Sequence, residues 1–521
     1  MRKEFERTAP EAVGIPSSAV EKLLDALEGS GHTQMHGLMI MRHGKICAEG
    51  YWSPFSAAQV HADYSLSKTY TATAVGICEY KGMLSLDQKV MDYFPEALPE
   101  APGEWLKQLT IRDLMMMGGG FPHEQRGYPA DWIARHLGAE MEHEPGTFWR
   151  YDSHGSTLLA AIVERVTGMS MMDWLNQNLF QIIGIDEKRV MCRKTADGVS
   201  NGGGGMFTTA EDNLRLMKLY LDGGVWEGER VLSEQFVRSA TSRQIDNQAS
   251  QAAWIYDNRM GYGYQLWMCR PEASYRADGA FGQFCVVVPS EDLIVSIFES
   301  AYNSGTLSTS DLHLPEGQQG EVRPVYGPQI TLDLLFGILL PELRQEPLPE
   351  KTAEAYHLAE RMRRLSMPLA WGQLRPDWTA HLPACELQAQ GQGISLNPTT
   401  PMTGSGQQML YADHLSLREE NGFLHLTAKC GDTVRELLAD MNGGRTQGRL
   451  PTEGEILSKI SCSAWIANDG RLCLSVLWYE TVLEHLYTFE IGEKSVRVVR
   501  KLVQGGNGSE SSEEAEYKRI L

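Results

Sequence analysis

Positive charge is in short supply in this chain. It carries 47 lysines and arginines against 67 aspartates and glutamates, a formal net charge of -20 with a pI near 5.2. Nucleic acid and anionic membrane surfaces both require a basic footprint, so the balance excludes them and leaves small molecules as partners. Long apolar runs are also missing. The most apolar piece, Leu332 to Leu340, falls far short of the roughly 20 residues that a membrane span needs. The start, Met1-Arg2-Lys3-Glu4-Phe5-Glu6-Arg7, has no apolar stretch behind its charges, which predicts no secretory signal. The nine cysteines are odd in number, dispersed and free of C-x-x-C spacing, the usage of reduced core thiols in a cytoplasmic protein. The 14 histidines form no H-E-x-x-H or comparable cluster, so no metal site is expected.

What is present points to one stretch, Tyr64-Ser65-Leu66-Ser67-Lys68-Thr69-Tyr70, where a polar entry leads into a long, mostly apolar helix that stops at Lys81-Gly82. With a helix start here, Ser65 sits in the first turn and Lys68 lies on the same face one turn on. A serine hydroxyl is a weak nucleophile until a base takes its proton, and a lysine with a pKa lowered by burial can be that base. The free N–H groups and positive dipole of a helix start suit an oxyanion. Alone, S-x-x-K is weak: it arises by chance about once or twice in a chain of this size. A helix cap followed by a solvated lysine has the same sequence, so other segments must decide.

The length of 521 residues exceeds one ordinary core and predicts two or three domains, while 42% hydrophobic and 22% charged residues describe a globular protein. A helix is expected over Ala19 to Leu27, then a hairpin of Gly37 to Arg42 and Lys45 to Tyr51 about His43-Gly44. Leu109 to Met117 reads as a helix stopped by Gly118-Gly119-Gly120, its methionines as core. Pro145-Gly146-Thr147 leads to Tyr151, just before a helix from Gly155 to Val166; from position alone Tyr151 reads as a buried aromatic, with Asp152 or Ser153 as helix cap. The run Gly202-Gly203-Gly204-Gly205 lacks a G-K-[ST] ending and reads as close backbone packing, and Thr209 to Asp212 as a capping box. Strands are expected across Gly261 to Trp267, Tyr275 to Val288 and Leu293 to Ile297, then a helix from Leu332 to Leu339. Beyond a link at 341–351 and a helix from Thr352 to Leu365, alternating segments such as Leu415 to Arg418, Phe423 to Thr427, Leu472 to Trp478 and Leu486 to Phe489 predict antiparallel β-structure.

Taken together, residues 8–341 resemble the serine β-lactamase and penicillin-binding protein superfamily, in its class C β-lactamase-like branch. They look most like 6-aminohexanoate-dimer hydrolase-like and family VIII esterase-like proteins. The likeness rests on the hairpin with Arg42-His43-Gly44-Lys45, the Ser65-Leu66-Ser67-Lys68 helix, Leu109 to Leu114, Pro145-Gly146-Thr147 before Tyr151, the glycine run before Asp212, and Gly279 to Pro289. It implies an α/β (α+β) fold, an antiparallel sheet flanked by helices over residues 1–345. A helical linker at 346–370, a β-rich domain at 371–504 and a disordered tail at 505–521 follow.

The resemblance also implies roles. Ser65 matches the nucleophile, Lys68 its base and Tyr151 the proton relay, with the N–H groups of Ser65 and Ala280 as oxyanion hole; Gly279, Asp278, Ser153 and Tyr264 would line the substrate site. Two positions depart from the pattern: Ser153 stands where asparagine is usual, and Ala277-Asp278-Gly279 where Lys-Thr-Gly or His-Thr-Gly is. Without that cation, and with Asp278 there, a substrate carboxylate is repelled. The expected function is a cofactor-free serine hydrolase cleaving a small ester or amide through an acyl-enzyme on Ser65. The alternatives are a D-amino-acid peptidase or weak β-lactamase, and a catalytically silent binding protein of the same fold. For the C-terminal region a structural wall, a lid and a homo-oligomer contact all stay open.

Overall fold

In the computed structural model, which describes residues 4–122, 127–248, 256–301, 306–308, 322–324, 327–349, 352–368, 384–398, 410–451, 457–504 and 512–520, the fold starts from a hairpin. All but one residue of β1 (Thr33–Arg42) is buried, and β2 (Lys45–Tyr51) runs back beside it. His43 and Gly44 turn the chain with φ of 51° and 72°. Positive φ at both central residues is what lets a two-residue hairpin follow the strand twist. The other strands of this sheet come much later: β3 (Trp267–Met268), β4 (Tyr275–Gly279), β5 (Gln283–Val288) and β6 (Leu293–Ala301). The order is β2-β1-β6-β5-β4-β3, antiparallel throughout. Every residue of β5 and β6 is buried, which is why Phe284–Val288 and Leu293–Val295 read as apolar runs rather than alternating ones.

Helices α1 (Ser17–Gly29), α2 (Ser67–Tyr80), α3 (Ser153–Thr167), α4 (Ala210–Leu221) and α5 (Gly327–Leu334) surround the sheet. Both α1 and α5 pack on β1, α4 packs on β5 and β6, and α2 and α3 pack on each other. Every residue of α2 from Ser67 to Cys78 is buried, so this stretch has no solvent face and its threonines must find partners inside. Thr71 donates to the Gly202 carbonyl at 2.9 Å and Thr69 to that of Gln265 at 3.2 Å. The chain thus divides into two units, Met1–Trp52 with Ser56–Leu365, and Ser53–Phe55 with Ser366–Leu521. The expected linker helix, α6 (Thr352–Arg363), belongs to the first unit and packs on α1 and β2.

The second unit is β-structure: β7 (Cys385–Ala389), β8 (His414–Glu420), β9 (Phe423–Cys430), β10 (Thr433–Asp440), β11 (Thr446–Arg449), β12 (Lys459–Ile466), β13 (Leu472–Trp478), β14 (Leu483–Ile491), β15 (Ser495–Gln504) and β16 (Ser512–Arg519). They pair in the order β10-β9-β8-β7-β16-β15-β14-β13-β12-β11, and β10 also meets β12 at Asp440 and Ser463, so the sheet curls into a barrel-like form. The alternation seen in sequence is the pleat: Leu424, Leu426, Ala428 and Cys430 are buried on one face of β9.

Three expectations need correction. Of the 261–267 segment only Trp267 enters a strand, Trp267–Met268, because Gly263 N–H bonds to the Leu266 carbonyl and Gln265 takes a φ of 55°, reversing the chain. The Leu332 to Leu339 helix begins at Gly327 and passes into a π-helical turn over Leu335–Leu339. The tail is the third: residues 505–511 lie outside the described residues, but Ser512–Arg519 pairs with both β7 and β15. Its polar sequence hid a strand whose inner positions, Ala515 and Tyr517, are buried while the alternating glutamates face out. The Tyr517 hydroxyl donates to the Ala412 carbonyl and accepts from Ile394 N–H, both at 2.8 Å.

One buried acid ties the entry of α2 to α4. Asp63 has no exposed surface and accepts from Thr208 Oγ1 at 2.8 Å and Asn213 Nδ2 at 2.9 Å. Burial pushes its carboxyl from 3.8 up to about 8, against the pull of those two hydrogen bonds. A group with a folded pKa above its unfolded one keeps its proton on folding, so its contribution is whole below about pH 4 and is lost as pH rises to about 8. Relative to Asp63→Asn, the wild type is expected to lose up to about 1.4 kcal/mol of stability per pH unit across that window, levelling off above it. Urea unfolding of both proteins at five pH values checks this, and parallel curves would contradict it. Tyr517→Ala is expected to destabilise the second unit by about 3 kcal/mol or more. A change within about 0.5 kcal/mol would fit a detached tail instead.

Candidate active site

Ser65 lies in a single 3-10 turn, Tyr64–Leu66, that runs straight into α2. Tyr64 is held at φ 49°, a left-handed conformation that a bulky residue adopts only where its surroundings impose it. Its ring meets that of Phe281, itself at φ 67°, edge to face with centroids 5.2 Å apart. Two strained residues therefore mark the place where the Ser65 turn meets the end of β4. The approach is close: a Cβ on Gly279 would stand 2.1 Å from the Asp63 carbonyl oxygen. Only glycine fits there without parting strand and turn. Ala280 follows, half-buried, with its carbonyl accepting from Gln283 Nε2 at 3.0 Å.

Lys68, 1% exposed, stands one helical turn beyond Ser65. Its Nζ donates to Ser65 Oγ at 3.1 Å, to Ser153 Oγ at 3.1 Å and to the Gly203 carbonyl. Three acceptors match the three protons of an ammonium, the condition for keeping such a group out of water. The Tyr151 ring covers another side, its centroid 4.7 Å from Nζ. These partners come from separate segments. Ser153 opens α3, where Asp152 caps the helix by accepting from Gly155 N–H at 2.9 Å. Burial opposes the charge of Asp152, yet His136 at 3.3 Å and the Gly155 bond hold its carboxyl below the usual range. Gly203 comes from the glycine run, which is small for space: a Cβ on Gly202 would meet Thr71 Oγ1 at 2.6 Å, and one on Gly203 the Ser153 carbonyl at 2.5 Å. The run packs closely, as its sequence led one to expect, and Thr209 and Asp212 form their capping box.

Aromatic rings and a charged pair complete the site. Tyr151 stacks on Trp267 with centroids 6.0 Å apart, and Tyr262 and Trp149 meet Trp267 edge-on at 5.0 and 5.2 Å. Asp278 on β4 accepts from Arg276 Nε at 2.8 Å. Burial raises its carboxyl pKa, while Arg276 and Lys68 hold that rise back. Lys68 is thus near enough for its charge to act on Asp278.

Of the residues singled out in sequence, Ser65, Lys68, Tyr151 and Ser153 come together around one amine, with Asp278, Gly279 and Ala280 beside them. Tyr264 does not join them. Its ring is buried against Phe236 at 5.7 Å and its hydroxyl accepts from Arg112, because the chain reversal at Gly263 to Leu266 turns it into the core. Tyr262 and Trp267 take the place by Tyr151 instead. A strand template over 261–267 concealed this. Asp63, Arg276 and the Gly203 carbonyl were also missed, the last being a backbone atom that no residue type announces.

A family model for Beta-lactamase matches residues 20–311, more than half of the 521-residue chain. A 6-aminohexanoate-dimer hydrolase of Paenarthrobacter ureafaciens is 27% identical over 44% of this chain and 63% of its own length, so the chain spans less than two thirds of that relative. Penicillin-binding protein 4 of Amycolatopsis lactamdurans is 26% identical over 51% of this chain and 78% of its own. A solved structure from Bacteroides dorei, assigned as a beta-lactamase, superposes with a TM-score of 0.50 at 15% identity, covering 62% of this chain and 99% of that one. With the antiparallel sheet and its flanking helices, the family match shows that this chain belongs to the beta-lactamase family.

Proposed function

We propose that this chain is a serine hydrolase that cleaves a small ester or amide through an acyl-enzyme on Ser65. The observation that carries the reading is the contact of Lys68 Nζ with Ser65 Oγ at 3.1 Å inside a buried ring of acceptors. In the neutral amine this contact reverses: Ser65 donates its proton to Lys68 as Oγ forms a bond to the substrate carbonyl carbon. The carbonyl oxygen becomes an oxyanion facing the N–H groups of Ser65 and Ala280. Collapse expels the alcohol or amine, which takes a proton relayed through Tyr151, and water then attacks the acyl-enzyme with Lys68 and Tyr151 again moving the proton. The ring of Tyr151 against Lys68 supports that relay, and Ser153 supports the orientation of the amine. The relatives named as hydrolases support the reaction type. The Ala277-Asp278-Gly279 sequence disfavours the weak β-lactamase alternative, since resemblance would pair a β-lactam or peptide carboxylate with a cation at this strand.

Purified protein is expected to release p-nitrophenol from p-nitrophenyl butyrate and to gain one adduct from a fluorophosphonate by intact mass. Ser65→Ala is expected to do neither, and retained turnover in that variant would sink the assignment. Lys68→Met and Tyr151→Phe are each expected to lower kcat/KM by about 10²–10⁴-fold with melting temperature little changed. A loss confined to KM would point to binding rather than proton transfer.

A further inference from the structure

Ser67, the second serine of Ser65-Leu66-Ser67-Lys68, has no exposed surface and so can touch no substrate. Its hydroxyl reaches back to the turn before α2. It donates to the Tyr64 carbonyl at 2.5 Å and accepts from Met206 N–H at 3.0 Å. The Ser67 N–H is shared between the Ser65 and Tyr64 carbonyls, so both donors of this residue meet the Tyr64 oxygen. Met206 lies just past the glycine run, and the hydroxyl thereby ties the Ser65 turn to the segment that supplies the Gly203 carbonyl to Lys68.

The peptide joining Tyr64 to Ser65 is planar and trans, so its C=O and N–H point in opposite directions. Fixing the Tyr64 carbonyl therefore fixes the direction of the Ser65 N–H. That plane needs holding, because Tyr64 sits at φ 49°, a conformation that persists only where contacts outweigh the strain. The Ala280 N–H is held by the same geometry. The Gly279 carbonyl accepts from Gly282 N–H at 3.2 Å, which fixes the peptide plane that carries the Ala280 N–H. Gly282 has a φ of 91°, and a Cβ there would stand 1.9 Å from Glu299 Oε1. A backbone turn thus sets one donor, and a side chain sets the other.

We infer that Ser67 is a positioning residue of the oxyanion hole: through the Tyr64 carbonyl it sets the Ser65 N–H toward the oxygen of the carbonyl under attack. The inference rests on the hydrolase reading above and adds to it the residue that aims one of its donors. Ser67 itself touches no reacting atom. A donor aimed in advance stabilises an oxyanion most, because nothing has to reorient as the charge develops. Without the hydroxyl the Tyr64–Ser65 plane is freer to swing, while Lys68 keeps its own acceptors.

The test compares p-nitrophenyl butyrate with its thiono analogue, in which sulfur replaces the carbonyl oxygen, each corrected for spontaneous hydrolysis. Sulfur accepts longer and weaker hydrogen bonds than an oxyanion, so the oxo-to-thiono ratio of kcat/KM reads the hole, whereas a defect in proton transfer slows both esters alike. Ser67→Ala is expected to lower kcat/KM for the oxo ester by about tenfold or more, mainly through kcat, and to narrow the ratio by about fivefold or more. The pH profile of kcat/KM is expected to stay in place. Ser67→Thr, which keeps the hydroxyl, is expected to recover the wild-type ratio. Ser67→Cys, of similar size but a weaker donor, is expected to narrow the ratio in the same direction and carries the comparison if Ser67→Ala does not fold. An unchanged ratio in the folded variant, or a shifted pH profile with both esters slowed alike, would overturn the inference and leave the hydrolase reading standing. No turnover of either ester by the wild type, together with no fluorophosphonate adduct, would overturn both.

Discussion

The lysine amine buried beneath Ser65 is the constraint on which the site depends. An ammonium without solvent costs several kcal/mol unless its protons are all taken. Lys68 meets that demand with Ser65, Ser153 and the Gly203 carbonyl, and with the face of Tyr151. These come from the turn before α2, the start of α3, the glycine run and the segment before α3. None of them can shift without leaving a buried charge short of a partner, so the packing of four segments and the geometry of the nucleophile are one problem. The glycines serve the same end, since side chains at Gly202 or Gly203 would displace the backbone that approaches α2 and α3.

A second close contact sets the other wall. Gly279 lets β4 come against the Asp63 carbonyl, and Tyr64 and Phe281 lock together on either side with left-handed backbones. Strain of this kind persists only where tertiary structure outweighs it, and here it lies at the junction of sheet and helix. The antiparallel sheet from β1 to β6 holds β4 in register, so the hairpin at the start of the chain and the strands after residue 261 act on one site. Among the described residues no helix is long and apolar enough to cross a membrane. Each cysteine except Cys192 is buried, and among the described residues none forms a disulfide.

How much of this was legible depended on whether a feature is local. The hairpin, α2 with its Lys81-Gly82 stop, the Thr209–Asp212 capping box and the alternating strands of the second unit all follow from neighbours within a few residues. Ser65 and Lys68 were readable because one helical turn relates them, and Tyr151 and Ser153 through a resemblance carried by several motifs in order. Tyr264 failed as a site residue because a short-range template assumed a strand where the backbone reverses at Gln265. The strand Ser512–Arg519 failed for a related reason: its glutamates spoke for solvent while Ala515 and Tyr517 alone marked the buried face.

The chain's own order of residues determined the helix start, the spacing of Ser65 and Lys68, the acidic balance and the presence of Asp278 where a cation is usual. Periodicity, capping and composition act over a turn or two of chain, so a linear reading reaches them. Tertiary structure alone decided that a glycine carbonyl would bind Lys68, that Asp63 would be buried with a raised pKa, and that Arg276 would spend its guanidinium inward. Those outcomes depend on which distant segments exclude water from one another, and water exclusion is a property of the packed whole.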